Sequence, residues 1–75
     1  MEYSLDQVCL GKPVTVSELK LLPELKDRLR DFGLVPGTGL CCRYRSPGKQ
    51  VTAVECRGAV IAMRTRDLHG IRVRC

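Results

Sequence analysis

The chain has 75 residues, a net charge of +5, 44% apolar residues and no Trp. A chain of this length buries only about 60% of its unfolded surface, so its core is one small cluster and a deep substrate cavity is excluded. No apolar run approaches the roughly 20 residues of a bilayer span, and the first residues lack the basic and apolar regions of a signal peptide. We therefore expect a cytoplasmic protein with a single domain over residues 1–75.

The first elements are short. Ser4 is predicted to cap a helical turn, with Gln7 reaching back as its capping-box partner. Residues 14–17 alternate between apolar and polar types, which predicts a half-buried strand with Val14 and Val16 facing inward. The leucine-rich residues that follow this strand are predicted to form a connector.

An amphipathic helix is predicted over about residues 23–32. Leu25, Leu29 and Phe32 recur at i, i+4 and i+7, so they lie on one face, and we expect all three in the core. Pro23 suits the first helical turn, where its missing N–H costs nothing.

The end of this helix is predicted from the residues after Phe32. Gly33 fits the left-handed position just past a helix, and Leu34 is the apolar residue that packs back onto the helix end. Pro36 prevents further helix, and Pro36 and Gly37 together predict a tight turn.

The second half of the chain reads as strands. Four segments alternate with a period of two, a helical turn is predicted over residues 65–70, and Gly58 marks a turn or bulge. The residues predicted to share one face within each segment are Leu40, Cys42 and Tyr44; Thr52, Val54 and Cys56; Ile61 and Met63; and Ile71, Val73 and Cys75. About five short strands with one helix predict a mainly β fold, a small antiparallel barrel whose closure removes exposed edges.

The basic residues are concentrated in this second half. Residues 40–75 hold eight Arg or Lys against Glu55 and Asp67, which indicates either an exposed outer face or a surface for an acidic partner. A small basic barrel could bind nucleic acid, but Tyr44 is the only aromatic residue on the predicted strands, so no stacking platform is visible. We therefore expect no nucleic-acid partner.

The five cysteines do not form a recognisable metal or redox motif. Their number is odd, no C-x-x-C pair is present, and His69 is the single histidine. We expect them to pack as small apolar side chains, with no bound metal or cofactor, and His69 to be exposed or to cap a turn. A metal-sensing or metal-delivering module using the cysteines remains an alternative. No nucleophile, acid–base pair or phosphate-binding motif is present, so we expect no enzyme.

The order and spacing of the motifs resemble the FeoA family, ferrous iron transport protein A, from Leu5 to Val73. The most specific part is R-L at residues 28–29 followed by F-G-L-V-P-G-T at residues 32–38, which is similar to the family's R-L-x-x-(M/L)-G-(L/I)-x-P-G-T signature. The resemblance implies an SH3-like barrel that acts as an accessory protein of ferrous iron uptake, docking on the cytosolic GTPase-containing part of the FeoB transporter. The loop after Pro47 departs from the family pattern, because it lacks an acidic residue.

The candidate partner-docking residues are Arg28, Arg57 and Arg64. For Arg28 and Arg64 the sequence leaves two readings open, a docking surface or pairing with nearby acidic side chains. We expect Gly33, Pro36, Gly37 and Gly58 to determine backbone geometry rather than to contact a partner.

Overall fold

The computed structural model describes residues 2–74. These residues form six strands, one α-helix and two 3₁₀ turns. The strands are β1 (Glu2–Ser4), β2 (Val14–Leu19), β3 (Gly39–Arg45), β4 (Val51–Cys56), β5 (Ala59–Arg64) and β6 (Ile71–Arg74). The helix α1 spans Pro23–Asp31, and the 3₁₀ turns span Leu5–Gln7 and Thr65–Gly70.

All described strand pairs are antiparallel, in the order β1-β6-β2-β3-β4-β5. The prediction of a mainly β, SH3-like fold with one helix is confirmed. The predicted closure is wrong, because β1 and β5 lie at opposite edges and do not pair. Strand β1 was not predicted, because its three residues do not alternate between apolar and polar types and its partner β6 lies some 70 residues away in the chain.

One core fills the space enclosed by the sheet. The alternating residues of β2, β4 and β6 face it as predicted, and α1 contributes Leu29. The buried apolar residues are Leu5, Val8, Val14, Val16, Leu19, Leu29, Leu34, Leu40, Cys42, Val54, Cys56, Met63, Leu68, Ile71 and Val73. Ile61, predicted to face inward, is only partly buried, and Cys75 lies outside the described residues.

Two β-bulges change the alternation that the sequence suggests. The register of β2 against β6 shifts after Val16, so Leu19, predicted in a connector, becomes a buried strand residue. The register of β3 against β4 shifts at Arg43, which places Tyr44 opposite the outward-facing Ala53. Tyr44 is consequently exposed, not inward as predicted. An extra residue on one strand reverses the facing of every residue beyond it.

The bulge in β3 also turns Arg45 toward the end of the core. Its Nη2 donates to the Val8 carbonyl oxygen at 3.0 Å and lies 3.4 Å from the Asp6 carbonyl oxygen, tying the first 3₁₀ turn to β3. The capping box predicted for that turn is not formed, because Ser4 ends β1 and points into the core. Its Oγ is buried with no hydrogen-bond partner among the described residues.

The predicted end of α1 is confirmed in detail. Gly33 has φ +84°, its N–H donates to the Arg30 carbonyl at 2.9 Å, and the Leu34 N–H donates to the Leu29 carbonyl at 3.0 Å. This is a Schellman closure. The helix ends at Asp31, one residue earlier than predicted.

The P-G-T part of the signature joins this closure to the sheet. The Thr38 N–H donates to the Val35 carbonyl at 3.0 Å across Pro36 and Gly37, and Gly37 has φ +94°, as a type II turn requires. The Thr38 hydroxyl donates to the Gly33 carbonyl at 2.9 Å. These contacts hold the loop in one conformation and so fix the position of α1.

Candidate functional site

A groove of about 580 Å³ runs between α1 and β5. Its lining combines apolar side chains with four charged ones. The lining residues are Leu22, Glu24, Leu25, Arg28, Leu29, Phe32, Ile61, Ala62, Met63, Arg64 and Asp67. Two apolar side chains of the lining are open to solvent, Leu22 at 78% and Phe32 at 51% exposure. An apolar groove with charged side chains at its rim is typical of a surface that contacts another protein.

The exposure of Phe32 corrects the prediction that the whole apolar stripe of α1 is core. Leu29 is buried and Leu25 is partly buried, but Phe32 lies at the C-cap, where the chain turns away. The Schellman closure brings Leu34 back into the core, where it is fully buried. Leu29 on the helix and Leu34 just after it therefore pack into the core, and Phe32 between them lines the groove.

Arg28 and Arg64 line this groove from opposite elements. Arg28 lies on α1 and Arg64 ends β5. Neither has a carboxylate within 4 Å in residues 2–74, although Glu24 and Asp67 line the same groove. Of the two readings that the sequence left open, the ion pairs are therefore not formed.

Arg57 lies outside the groove lining, and its side chain approaches Gly33. A Cβ added to Gly33 would lie 3.0 Å from Cδ of Arg57 and 3.5 Å from its Nη1. The Arg57 side chain therefore packs across the C-terminal end of α1, where the free carbonyl groups favour a cation. Arg57, with φ +54°, and Gly58, with φ +83°, form the two-residue turn between β4 and β5. The structure thus places Arg28 and Arg64 in the lining of the groove and Arg57 beside Gly33, outside that lining.

Two contributors to the groove had no usable signal in the sequence. Leu22 falls between predicted elements, so no periodicity assigned it a face. The edge of β5 is visible only once the strand order is known.

A second cleft, of about 650 Å³, meets the groove at Arg64. It is lined by three basic side chains, Lys49, Arg64 and Arg66, and by the carboxylate of Asp6, with Gln50, Val51 and Thr65 between them. His69 is exposed, as predicted, and its Nδ1 lies 3.5 Å from Oδ2 of Asp6. The surface near the C-terminal end of β5 is therefore predominantly basic.

The four cysteines within residues 2–74 do not line the groove. Cys42 and Cys56 are buried, Cys9 is exposed and Cys41 is half-buried, and all four are free thiols. Burial raises the pKa of both the Cys42 and the Cys56 thiol, since the charged form loses its hydration. Within residues 2–74, no three His, Cys, Asp or Glu side chains are arranged to hold a metal ion.

Tyr44 is not the only aromatic residue on a strand, because Tyr3 lies on β1. No helix in the described part of the chain has the length and apolar character needed to cross a membrane.

Comparison with known proteins identifies the family. The FeoA domain model matches residues 3–75. No curated protein is similar to the chain at a significant level.

Several solved structures share the fold. The FeoA protein from Chlorobium tepidum is 29% identical, with a TM-score of 0.92 over 96% of this chain and 69% of its own. A FeoA-like protein from Clostridium acetobutylicum is 22% identical, with a TM-score of 0.83 over 97% of this chain and 85% of its own. A manganese-dependent transcriptional repressor is 16% identical, with a TM-score of 0.85 over 97% of this chain but only 41% of its own, so this likeness shows the fold alone. Since the family model spans nearly all its residues, the chain belongs to the FeoA family, which is associated with ferrous iron transport.

Proposed function

We propose that this protein is a cytosolic accessory protein of ferrous iron uptake that docks on the GTPase-containing cytosolic region of a FeoB-type transporter. The observation that carries the proposal is the groove between α1 and β5, which leaves Leu22 and Phe32 exposed. Membership of the FeoA family supports the assignment to iron transport. Arg28 and Arg64 line the groove and Arg57 lies beside Gly33 at the end of α1, and these three arginines are the proposed docking residues.

The proposed mechanism is selection of one transporter conformation. A docking protein shifts a conformational equilibrium only as far as its affinities for the two states differ. Apolar anchors in the centre of an interface supply most of the binding free energy, and arginines at the rim supply orientation. Phe32 and Leu22 would be the anchors here.

Co-purification with the cytosolic region of the transporter tests the proposal. We expect the immobilised region to retain this chain, with different affinities in the GDP-bound and GTP-analogue-bound states. Phe32→Ala should weaken binding at least roughly tenfold, because truncation of an aromatic anchor at the centre of an interface typically costs about 2 kcal/mol or more.

Tyr44→Ala is the matched control. Tyr44 is 59% exposed on the outer face of β3 and does not line the groove, so its replacement should leave binding unchanged. Failure to retain the chain in either nucleotide state would refute the proposal.

A further inference from the structure

We infer that the free edge of β5 is a strand-addition site, at which an extended segment of the transporter's cytosolic region pairs with β5 inside the groove. This inference rests on the proposed function and specifies its geometry. The segment it fits has apolar residues at its centre and acidic residues at both ends.

The first observation is that β5 has an unused hydrogen-bonding edge. In the described sheet β5 pairs only with β4. The two-residue turn makes Cys56 and Ala59 the hydrogen-bonded pair that closes the hairpin. The antiparallel alternation then directs the backbone groups of Val60, Ala62 and Arg64 away from β4.

A hydrogen bond just after the end of β5 supports this assignment of the residues whose backbone groups point toward β4 and of those whose groups point away. The Thr65 N–H donates to the Gln50 carbonyl at 2.9 Å. This is expected for a residue two positions after Met63, because the backbone groups of Met63 are directed toward β4. In residues 2–74, the turn and loop hydrogen bonds do not use the backbone groups of Val60, Ala62 or Arg64. The backbone groups of Val60 and Ala62 and the N–H of Arg64 are therefore available to a further strand, whereas the Arg64 carbonyl lies at the N-cap of the second 3₁₀ turn.

The second observation is that β5 lacks the features that normally protect an edge. Its first five residues, Ala59–Met63, are all apolar, with no charge, proline or bulge among them. Natural edge strands are usually short or carry such features. The opposite edge, β1, has only three residues and carries Glu2. An unprotected edge is expected to pair with another chain.

The third observation is the course of the groove. Ile61, Ala62, Met63 and Arg64 are consecutive, and all four line it. Successive residues of a strand point to opposite faces, so a groove that contacts four in a row follows the edge of the strand. An extended segment lying there would pair with β5 on one side and contact the apolar side chains of α1 on the other.

The charges indicate what this segment carries. Arg57 lies in the two-residue turn before β5, and Arg64 ends this strand. Lys49 and Arg66 line the cleft beyond Arg64. The centre of the groove is apolar, with Leu25, Leu29 and Ile61 in its lining. Carboxylates at both ends of the bound segment would therefore face the arginines, and alternate apolar residues would face α1. A second copy of this chain is disfavoured as the occupant, because two chains of net charge +5 repel each other.

A short synthetic peptide with alternating valines at its centre and glutamates at both ends tests the inference. On titration into isotopically labelled protein, we expect the amide signals of Val60, Ala62 and Arg64 to shift and their hydrogen exchange to slow. N-methylation of the central peptide amides should weaken binding at least roughly tenfold, because it removes the inter-strand donors. Exchanging the glutamates for lysines should have a similar effect.

Variants of the protein provide a second test of the inference. Ala62→Pro removes one outward N–H and no N–H directed at β4, so the fold should persist while peptide binding falls. Arg64→Glu should also weaken binding, whereas Arg74→Glu on β6, outside the groove, is the matched control and should not. The methylated peptide keeps the test decisive should Ala62→Pro fail to fold.

The outcomes separate this inference from the proposed function. If the transporter region is retained but N-methylation and Ala62→Pro leave binding unchanged, strand addition is refuted while docking stands. Binding of neither the region nor the peptide overturns both. Concentration-dependent dimerisation that Ala62→Pro abolishes would show that a second copy of the chain is the occupant, and this also overturns the inference.

Discussion

At the scale of single residues, the signature glycine at Gly33 is required by its backbone conformation. Its φ of +84° is a conformation that residues with a Cβ rarely adopt. A Cβ there would also lie 3.0 Å from Cδ of Arg57, but the flexible arginine side chain can shift, so the backbone conformation is the main requirement. That requirement is local and follows from the helix end.

Gly70 provides a sharper test, because no sequence motif marks it. A Cβ at Gly70 would lie 2.4 Å from the Lys20 carbonyl oxygen and 2.7 Å from Cδ2 of Leu21. The Lys20 N–H also donates to the Gly70 carbonyl at 2.6 Å, so the two backbones are fixed close together. We expect Gly70→Ala to lower the free energy of unfolding by about 1–3 kcal/mol, measured by urea denaturation. Gly48→Ala meets no atom closer than 3.8 Å and should leave the midpoint nearly unchanged; equal effects at both positions would contradict the argument.

At the scale of the elements, one side of α1 packs on the core and another side lines the groove. Leu29 is 3% exposed and anchors the helix, while Phe32 at its end is half exposed. The helix is therefore positioned by few buried side chains, together with the hydrogen-bonded closure that follows it.

This division predicts different effects for two truncations of apolar side chains. Leu29→Ala should lower the free energy of unfolding by about 2–5 kcal/mol, since it leaves a cavity in the core. Phe32→Ala should change it by less than about 1 kcal/mol and weaken only partner binding. Urea denaturation of both variants checks this, and a larger loss for Phe32→Ala would show that Phe32 is a core residue after all.

At the scale of the whole molecule, the sheet surrounds a core that contains two thiols. Burial raises the pKa of Cys42, so the folded protein keeps this thiol protonated at pH values where the unfolded chain ionises it. Its contribution to stability is fully present below the unfolded pKa and declines as the pH rises from about 8 toward the folded pKa.

We therefore expect the free energy of unfolding to fall in alkaline solution. Cys42→Ala should be less stable than the unmodified chain near pH 7, and the difference should shrink as the pH approaches about 10. Urea denaturation at several pH values measures it. A difference that stays constant with pH would mean that Cys42 ionises equally in both states.

Much of the fold could be predicted because its signals are local. Alternation of apolar and polar residues over four to six positions predicts a strand such as β4, whatever its place in the sheet. The G-L-V-P-G-T segment predicts a helix end and a turn from backbone preferences alone. Bulges give no such signal, and they are why Leu19 and Tyr44 were assigned incorrectly. The sequence also named Arg28, Arg57 and Arg64 without indicating that Arg28 and Arg64 line the same groove.

The amino-acid sequence by itself determined the helix end, the strands other than β1 and the basic character of the second half, because each can be recognised from residues close together in the chain. Only the tertiary structure decided which strands form the edges of the sheet and that α1 lies beside β5. These features depend on contacts between segments some thirty or more positions apart, and such contacts arise only when the whole sheet packs around one core.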